Sequence, residues 1–321
     1  MVGGRVVDST GADDRTAGGP VPRETIAEMD IFTRAVEVEA LRLAQKSGKH
    51  PLSRSDDILF QWSHVERAEQ ERVEQKLLLK RLKPVEAGHH LNRGCMEGTC
   101  QSVFNRILDW ATDTQGVNDA PRRNTYWLYG SPGIGKTALA HSICAGLHEG
   151  NHLAGAFFCR RDDPNLSETR SILPTLIYKL ATIFPPFRNV DAQRLRNDPN
   201  VAPESMKGSL FLEFIRSLPR HPKYTLVFVI DALDECGNAQ SRPGILRALN
   251  EAAAQAPWLK MIITSRPEAD IQRSFNALTT SSYLQYDLAT DKGASTDLRA
   301  FAQSQFDLVA QSWYLPSPWP E

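Results

Sequence analysis

The sequence predicts an α/β fold, a parallel sheet covered on both faces by helices and preceded by a separate helical region. Three observations point there. Five short, nearly continuous apolar runs recur after residue 124. Helical periodicity fills the gaps between the first four runs. The glycine-rich stretch "GSPGIGKT" stands at the first strand-to-helix junction. Strands that are apolar along their whole length, rather than at alternate residues, are buried on both faces, which is the habit of parallel sheets.

Composition bounds the rest. A chain of 321 residues holds one sizeable domain and something smaller. Apolar residues at 41% and charged residues at 23% suit a globular protein in water. The formal net charge of −1 supplies no field toward nucleic acid or anionic lipid, so neither is expected as a partner. The 5 cysteines are odd in number and scattered, which predicts free thiols in a reducing compartment. The first residues contain no apolar signal core, and no run approaches the roughly 18–20 apolar residues of a membrane span. The expected location is cytoplasmic.

In chain order, residues 1–22 are rich in Gly, Asp, Thr and Pro without periodicity and predict a disordered arm. Residues 23–88 predict a helical region. Ile26, Met29, Val36, Ala40 and Leu43 recur at helical spacing to about Gln45, and "SGKHP" then breaks the pattern. A second helix is expected from Ser53 or Ser55 to about Leu82, with Ile58, Trp62, Val65, Val73 and Leu77 on its apolar side. An αα-hairpin or a short coiled coil accounts for both. Residues 89–120 predict a linker and a helix from about Gln101 to Thr112. His89, His90, Cys95 and Cys100 lie here, but their spacing is not that of a zinc knuckle.

Residues 121–310 predict the sheet domain and 311–321 a tail. The strand runs are 125–130, 154–160, 224–231, 259–265 and 282–288; helical stretches lie near 136–148, 168–184, 205–218 and 242–255.

"GSPGIGKT" comprises Gly130, Ser131, Pro132, Gly133, Ile134, Gly135, Lys136 and Thr137, and fits the phosphate-loop pattern G-x-x-x-x-G-K-[ST] without mismatch. The glycines let the backbone curl so that several N–H groups aim at phosphate oxygens. Lys136 brings a compact charge to the β- and γ-phosphates. The Thr137 hydroxyl is a Mg²⁺ ligand, and the following helix adds its positive end. The loop predicts nucleotide binding.

The run "VFVIDALDEC" ends a greasy strand in acids. Asp231 is expected to orient Mg²⁺ opposite Thr137, because an acid buried there without a cation costs several kcal/mol. Asp231 is followed by Ala232, and no N-K-x-D or LSGGQ-like stretch occurs, which sets the chain apart from Ras-type GTPases and ABC-type ATPases. Asp234 and Glu235 have two readings, aligning the attacking water or capping the helix near 242. "MIITSRPEAD" brings Arg266 to a strand end, where it senses the γ-phosphate or pairs locally with Glu268 or Asp270.

Taken together, "GSPGIGKTALA", "FVIDALDEC" and "MIITSRPE" resemble the NACHT domain of the STAND class of P-loop NTPases. They are most similar to fungal members related to immune-type receptors and heterokaryon-incompatibility proteins. The resemblance spans roughly residues 92–290. It implies a five-stranded parallel core of order 5-1-4-3-2, switching between ADP and ATP, and nucleotide-driven homo-oligomerisation with effector or receptor partners. Ala232, Asp234 and Glu235 match the family pattern after the Walker B acid, and Arg266 matches its sensor position. "GTCQSVFNRILDW" is similar to the segment ahead of the loop, with Cys100 where an arginine is common. Family members continue into helical, winged-helix and repeat domains, for which "WYLPSPWPE" leaves no room.

The resulting expectation is a signalling switch that binds ATP or ADP with Mg²⁺ and hydrolyses slowly. Preference for ATP over GTP comes through the resemblance alone, because nothing here reads the base. The alternatives are an ATPase with steady turnover and a nucleotide-dead scaffold acting through its N-terminal helices.

Overall fold

The computed structural model describes residues 51–88, 93–113, 123–197, 208–217, 224–278, 282–291 and 293–314. The expected arm and first helix, residues 1–45, lie outside them, as do His89 and His90. The chain divides into two units, Met1–Glu71 and Arg72–Glu321.

Helix α1 runs Pro51–Lys80. Proline is tolerated at its first position, where the missing N–H has no helical partner. Helix α2, Gln101–Thr112, precedes β1, Thr125–Tyr129. There follow α3 (Lys136–Glu149), β2 (Leu153–Phe158), α4 (Ile172–Ile183), α5 (Pro185–Asn197) and α6 (Gly208–Arg216). The chain continues through β3 (Leu226–Asp231), α7 (Arg242–Gln255), β4 (Leu259–Ser265) and α8 (Ala269–Asn276). It then forms β5 (Tyr283–Asp287) and α9 (Ala294–Trp313).

The five strands are all parallel and lie in the order β2-β3-β4-β1-β5, the expected 5-1-4-3-2. In this register Tyr129 faces Ser265 and Phe158 faces Asp231, so the carboxyl ends of four strands converge on one edge.

Alternate residues of each strand enter two separate cores. Trp127, Phe228, Ile230, Met261 and Ile263 meet α4 through α8 on one face. Tyr126, Leu128, Val227, Val229 and Ile262 meet α2 and α3 on the other. Each large side chain so buried contributes about 1.5–3 kcal/mol, and this is why the strands read as unbroken apolar runs.

The second core is also pinned by polar contacts. Lys260 on β4 donates to the carbonyls of Trp110 and Asp113, at 2.5 and 2.8 Å, and its ammonium lies 5.1 Å from the Trp110 ring. Thr225 donates to Ala111 O at 2.7 Å. These bonds satisfy carbonyls at the end of α2 that have no helical donor.

Three helices were not expected from periodicity. α5 begins at Pro185-Pro186 and is mostly polar, α8 is only 8 residues long, and α9 lies past the last strand run, where no helical stretch was expected. Among the described residues, no helix is long and apolar enough to cross a membrane.

Candidate functional site

The phosphate loop leaves β1 at Tyr129 and enters α3 at Lys136. Gly133 and Gly135 take φ of 78° and 94°, a region that side chains rarely adopt. A Cβ at either would meet nothing within 4 Å, so the positive φ rather than crowding is what calls for glycine at both positions. Lys136 Nζ donates to Gly130 O and Ser131 O, both at 2.8 Å, which lays the ammonium along the loop. Burial holds its pKa below the usual lysine value, while Asp234 and Asp231 counteract.

Asp231 ends β3 and is only 1% exposed. Its Oδ1 accepts from the Thr264 hydroxyl at 2.5 Å, and the Thr137 side chain is hydrogen-bonded to it as well. Burial pushes the carboxyl above the ordinary range, and both hydroxyls and the Lys136 charge pull it back. A carboxylate and a hydroxyl facing one another below the loop are hard oxygen donors of the kind Mg²⁺ takes. The site chemistry therefore fits that ion.

Ala232 adopts a left-handed φ of 53°. Its N–H donates to Thr264 Oγ1 at 2.9 Å, so one threonine fixes both the acid and the turn after it. A small residue suits this backbone. The turn then swings Asp234 under β4. The Asp234 side chain is 3% exposed; Oδ1 accepts from the Arg266 N–H at 2.9 Å, and Oδ2 lies 3.2 Å from Arg266 Nε. Arg266 thus grips Asp234 with backbone and side chain together.

The helix-capping reading of Asp234 and Glu235 is not what the chain adopts: they occupy a single 3₁₀ turn, Leu233–Glu235, and α7 starts after Ser241. Nor does Arg266 pair with Glu268 or Asp270, since Asp270 faces Arg242 at 3.4 Å. Glu235 lines a polar groove of about 590 Å³ that Asp234 also borders, with Arg161, Thr169, Ser241 and Arg242.

Lys136, Thr137, Asp231, Asp234 and Arg266 therefore come together at the carboxyl edge of the sheet, with Glu235 to one side. Thr264 escaped the sequence reading. It stood only inside "MIITSRPEAD", two residues ahead of Arg266, and a buried threonine next to the last residue of a strand carries no signal of its own. The opposite side of the loop opens into a cavity of about 210 Å³, walled by Cys95, Cys100, Val103, Ile134 and Leu288.

A family model described as Nephrocystin 3, N-terminal, matches residues 98–266, more than half of the chain and the whole span from α2 to Arg266. No curated protein matches. Among solved structures, a Walker-type ATPase of Pyrococcus abyssi is 14% identical with a TM-score of 0.37, over 64% of this chain and 58% of that one. The C. elegans protein PCH-2 is 10% identical with a TM-score of 0.36, over 68% and 50%. A DNA replication initiation factor is 10% identical with a TM-score of 0.33, over 66% and 53%. The chain spans between 50% and 58% of the length of these three structures.

Proposed function

Because this chain belongs to the Nephrocystin 3, N-terminal family, a NACHT-related P-loop domain, we propose that it is a nucleotide-gated switch. It binds ATP or ADP with Mg²⁺ and hydrolyses slowly enough for the bound nucleotide to report a state. Gly130 through Gly135 and Lys136 hold the phosphates. Thr137 and Asp231 hold Mg²⁺, which when bound neutralises charge building on the β- and γ-phosphates. Thr264 keeps Asp231 aimed at that position.

The observation that carries the switch reading is the double grip of Arg266 on Asp234. The guanidinium that would sense a γ-phosphate is held by the carboxylate that would align water. A γ-phosphate competes for the arginine with more charge than one carboxylate. Moving the guanidinium to it frees Asp234 Oδ2, so sensing and water alignment exchange partners in one step. Glu235 is the second acid within reach of that centre. With the guanidinium drawn away, the Arg266 N–H still holds Asp234 Oδ1, which restrains the carboxylate and keeps turnover slow.

In this reading the domain organisation is a helical region over 23–88 that meets effector or receptor partners, a connecting segment over 89–120, and a nucleotide domain over 121–310 that assembles into homo-oligomers in the cytoplasm. A role in fungal self/non-self recognition or programmed cell death fits a switch of this type. Identifying the nucleotide that co-purifies, then comparing native mass with ADP and with a non-hydrolysable ATP analogue, tests it. A larger species with the analogue alone is expected, and Arg266→Ala should abolish the difference. Multiple turnovers per second by the isolated chain would instead indicate a working ATPase. Unchanged nucleotide affinity in Lys136→Ala would indicate a scaffold.

A further inference from the structure

The cavity beside the phosphate loop has a wall that the nucleotide chemistry leaves unexplained. Cys95 and Cys100 both line it, and they are the partly exposed thiols, whereas Cys144, Cys159 and Cys236 are buried. A tight turn folds one back on the other. Thr99 donates to Met96 O through its N–H at 3.0 Å and through its hydroxyl at 2.7 Å. Gly98 and Cys100 take φ of 81° and 59°, which reverses the chain. A left-handed cysteine is costly, and here it turns the side chain toward its partner. The two thiols are in hydrogen-bond contact.

The ends of this turn are fastened to different elements. Cys95 N–H donates to Ser142 Oγ on α3, the helix of the phosphate loop, at 2.8 Å. Cys100 N–H donates to Asp297 Oδ2 on α9 at 2.7 Å. Asp297, Leu298 and Phe301 of α9 line the same cavity as the two cysteines, as do Ala138 and Leu139 of α3. A bond between the two sulfurs would fix the two ends of the turn, and with them the two hydrogen-bonding N–H groups, relative to one another.

We propose that Cys95 and Cys100 are a redox-active dithiol that closes to an intramolecular disulfide by exchange with a low-molecular-weight disulfide such as oxidised glutathione, and that closure slows nucleotide exchange. The consequence for exchange rests on the nucleotide-site reading above; the disulfide itself does not. Cys100 is the attacking group. It stands at the N-terminus of α2, and the Cys95 thiol donates to it, which lowers its pKa while raising that of Cys95.

The Cys100 thiolate attacks one sulfur of the small disulfide and expels one thiolate, leaving a mixed disulfide. Cys95 then gives up its proton and attacks the Cys100 sulfur, expelling the second thiolate. The two protein thiols lose two electrons, the small disulfide gains them, and the protons end on the two released thiols. Because a disulfide fixes the sulfurs near 2.05 Å, the turn tightens and stiffens, and its two hydrogen bonds, to Ser142 on α3 and Asp297 on α9, resist the parting that admits or releases a ligand.

The full-length chain, reduced and then treated with oxidised glutathione, is examined by peptide mapping and by release of a fluorescent ADP analogue. Expected is a Cys95–Cys100 link, reversed by dithiothreitol, with release from the oxidised protein slower by about fivefold or more. Cys100→Ser and Cys95→Ser should each release the analogue at one rate under both treatments. A stable glutathione adduct on Cys100, a Cys159–Cys236 link in its place, or no modification overturns the dithiol. A clean Cys95–Cys100 link with unchanged release overturns the gating. Failure of the reduced protein to bind the analogue at all overturns the nucleotide-site reading and gating together, leaving the mapped disulfide standing.

Discussion

Thr264 shows how much one hydroxyl can organise. It donates to Asp231 and accepts from the Ala232 N–H, inside a strand where it is fully buried. Thr264→Val keeps the shape but leaves a buried carboxylate short of a donor, at about 1–3 kcal/mol of stability. The expected outcome is a chemical-denaturation midpoint shifted down by that amount, with Mg²⁺-dependent nucleotide affinity falling in titrations of the same variant. Asp191 on α5 is a contrasting case. It is fully buried, and neither carboxylate oxygen has a hydrogen-bond partner. Burial pushes its pKa well above the usual value, against the pull of Arg194. A carboxyl whose folded pKa is raised binds its proton more tightly in the folded state. Its contribution is therefore most favourable below the unfolded pKa of about 3.9 and is lost as pH rises toward the folded value. Asp191→Asn should accordingly be more stable than the parent at neutral pH, by about 1–3 kcal/mol, and the gap should narrow as pH falls. Denaturation curves recorded between neutral and mildly acidic pH decide this; a pH-independent gap would contradict it.

At the scale of elements, α4 and β2 fit closely. A Cβ placed on Gly155 would stand 2.8 Å from Lys179 Cβ and 3.1 Å from its Cδ. The near atom belongs to the root of the side chain, so the helix itself must give way. The pairing of β2 with β3 also shifts register between Leu153 and Gly155, which lets the strand approach α4 closely. Gly155→Ala is expected to lower stability by about 1–3 kcal/mol through overpacking, measured as a lowered Tm. Wild-type-like melting would show that α4 shifts without cost. The anchoring of α2 by Lys260 follows different physics. Its ammonium holds carbonyls at a helix end, and burial lowers its pKa to about 8 despite the nearby Asp113 charge. That helix in turn presents Val103 to the cavity beside the phosphate loop. A buried cation far from the phosphates thus helps to set the wall of the candidate nucleotide site.

At the scale of the whole molecule, convergence of strand ends makes one ligand able to report on several elements. In the proposed reading, nucleotide held by the loop after β1, with Mg²⁺ at Asp231 after β3 and a contact to Arg266 after β4, would couple three strands to α3. A ligand present at about 100 times its Kd adds about 2.7 kcal/mol to folded-state stability. ADP with Mg²⁺ should then raise the Tm by about 5 °C or more. Chelating the metal should remove most of that gain, and Lys136→Ala should remove nearly all of it. A thermal shift that ignores chelation would argue against Thr137 and Asp231 as metal ligands.

The sequence by itself determined the order of the five strands, the helices with strong apolar periodicity between the first four of them, and the place of the phosphate loop. It could do so because those features are local: apolar runs, glycine spacing and a lysine-threonine pair declare themselves within a few residues. Order 5-1-4-3-2 was legible only through family resemblance, since strand pairing is a long-range choice that no single window contains. The short α8 and the polar α5 escaped because too few apolar repeats mark them; tertiary packing of Phe187, Leu195, Ile271 and Phe275 fixes them instead. Only the tertiary structure decided what surrounds Asp231 and Asp234. The grip of Arg266 on Asp234 joins residues 32 positions apart, and Thr264 reaches Asp231 across 33. Such bonds form because β3 and β4 lie side by side and both end at one edge, a fact of sheet topology rather than of either segment's composition.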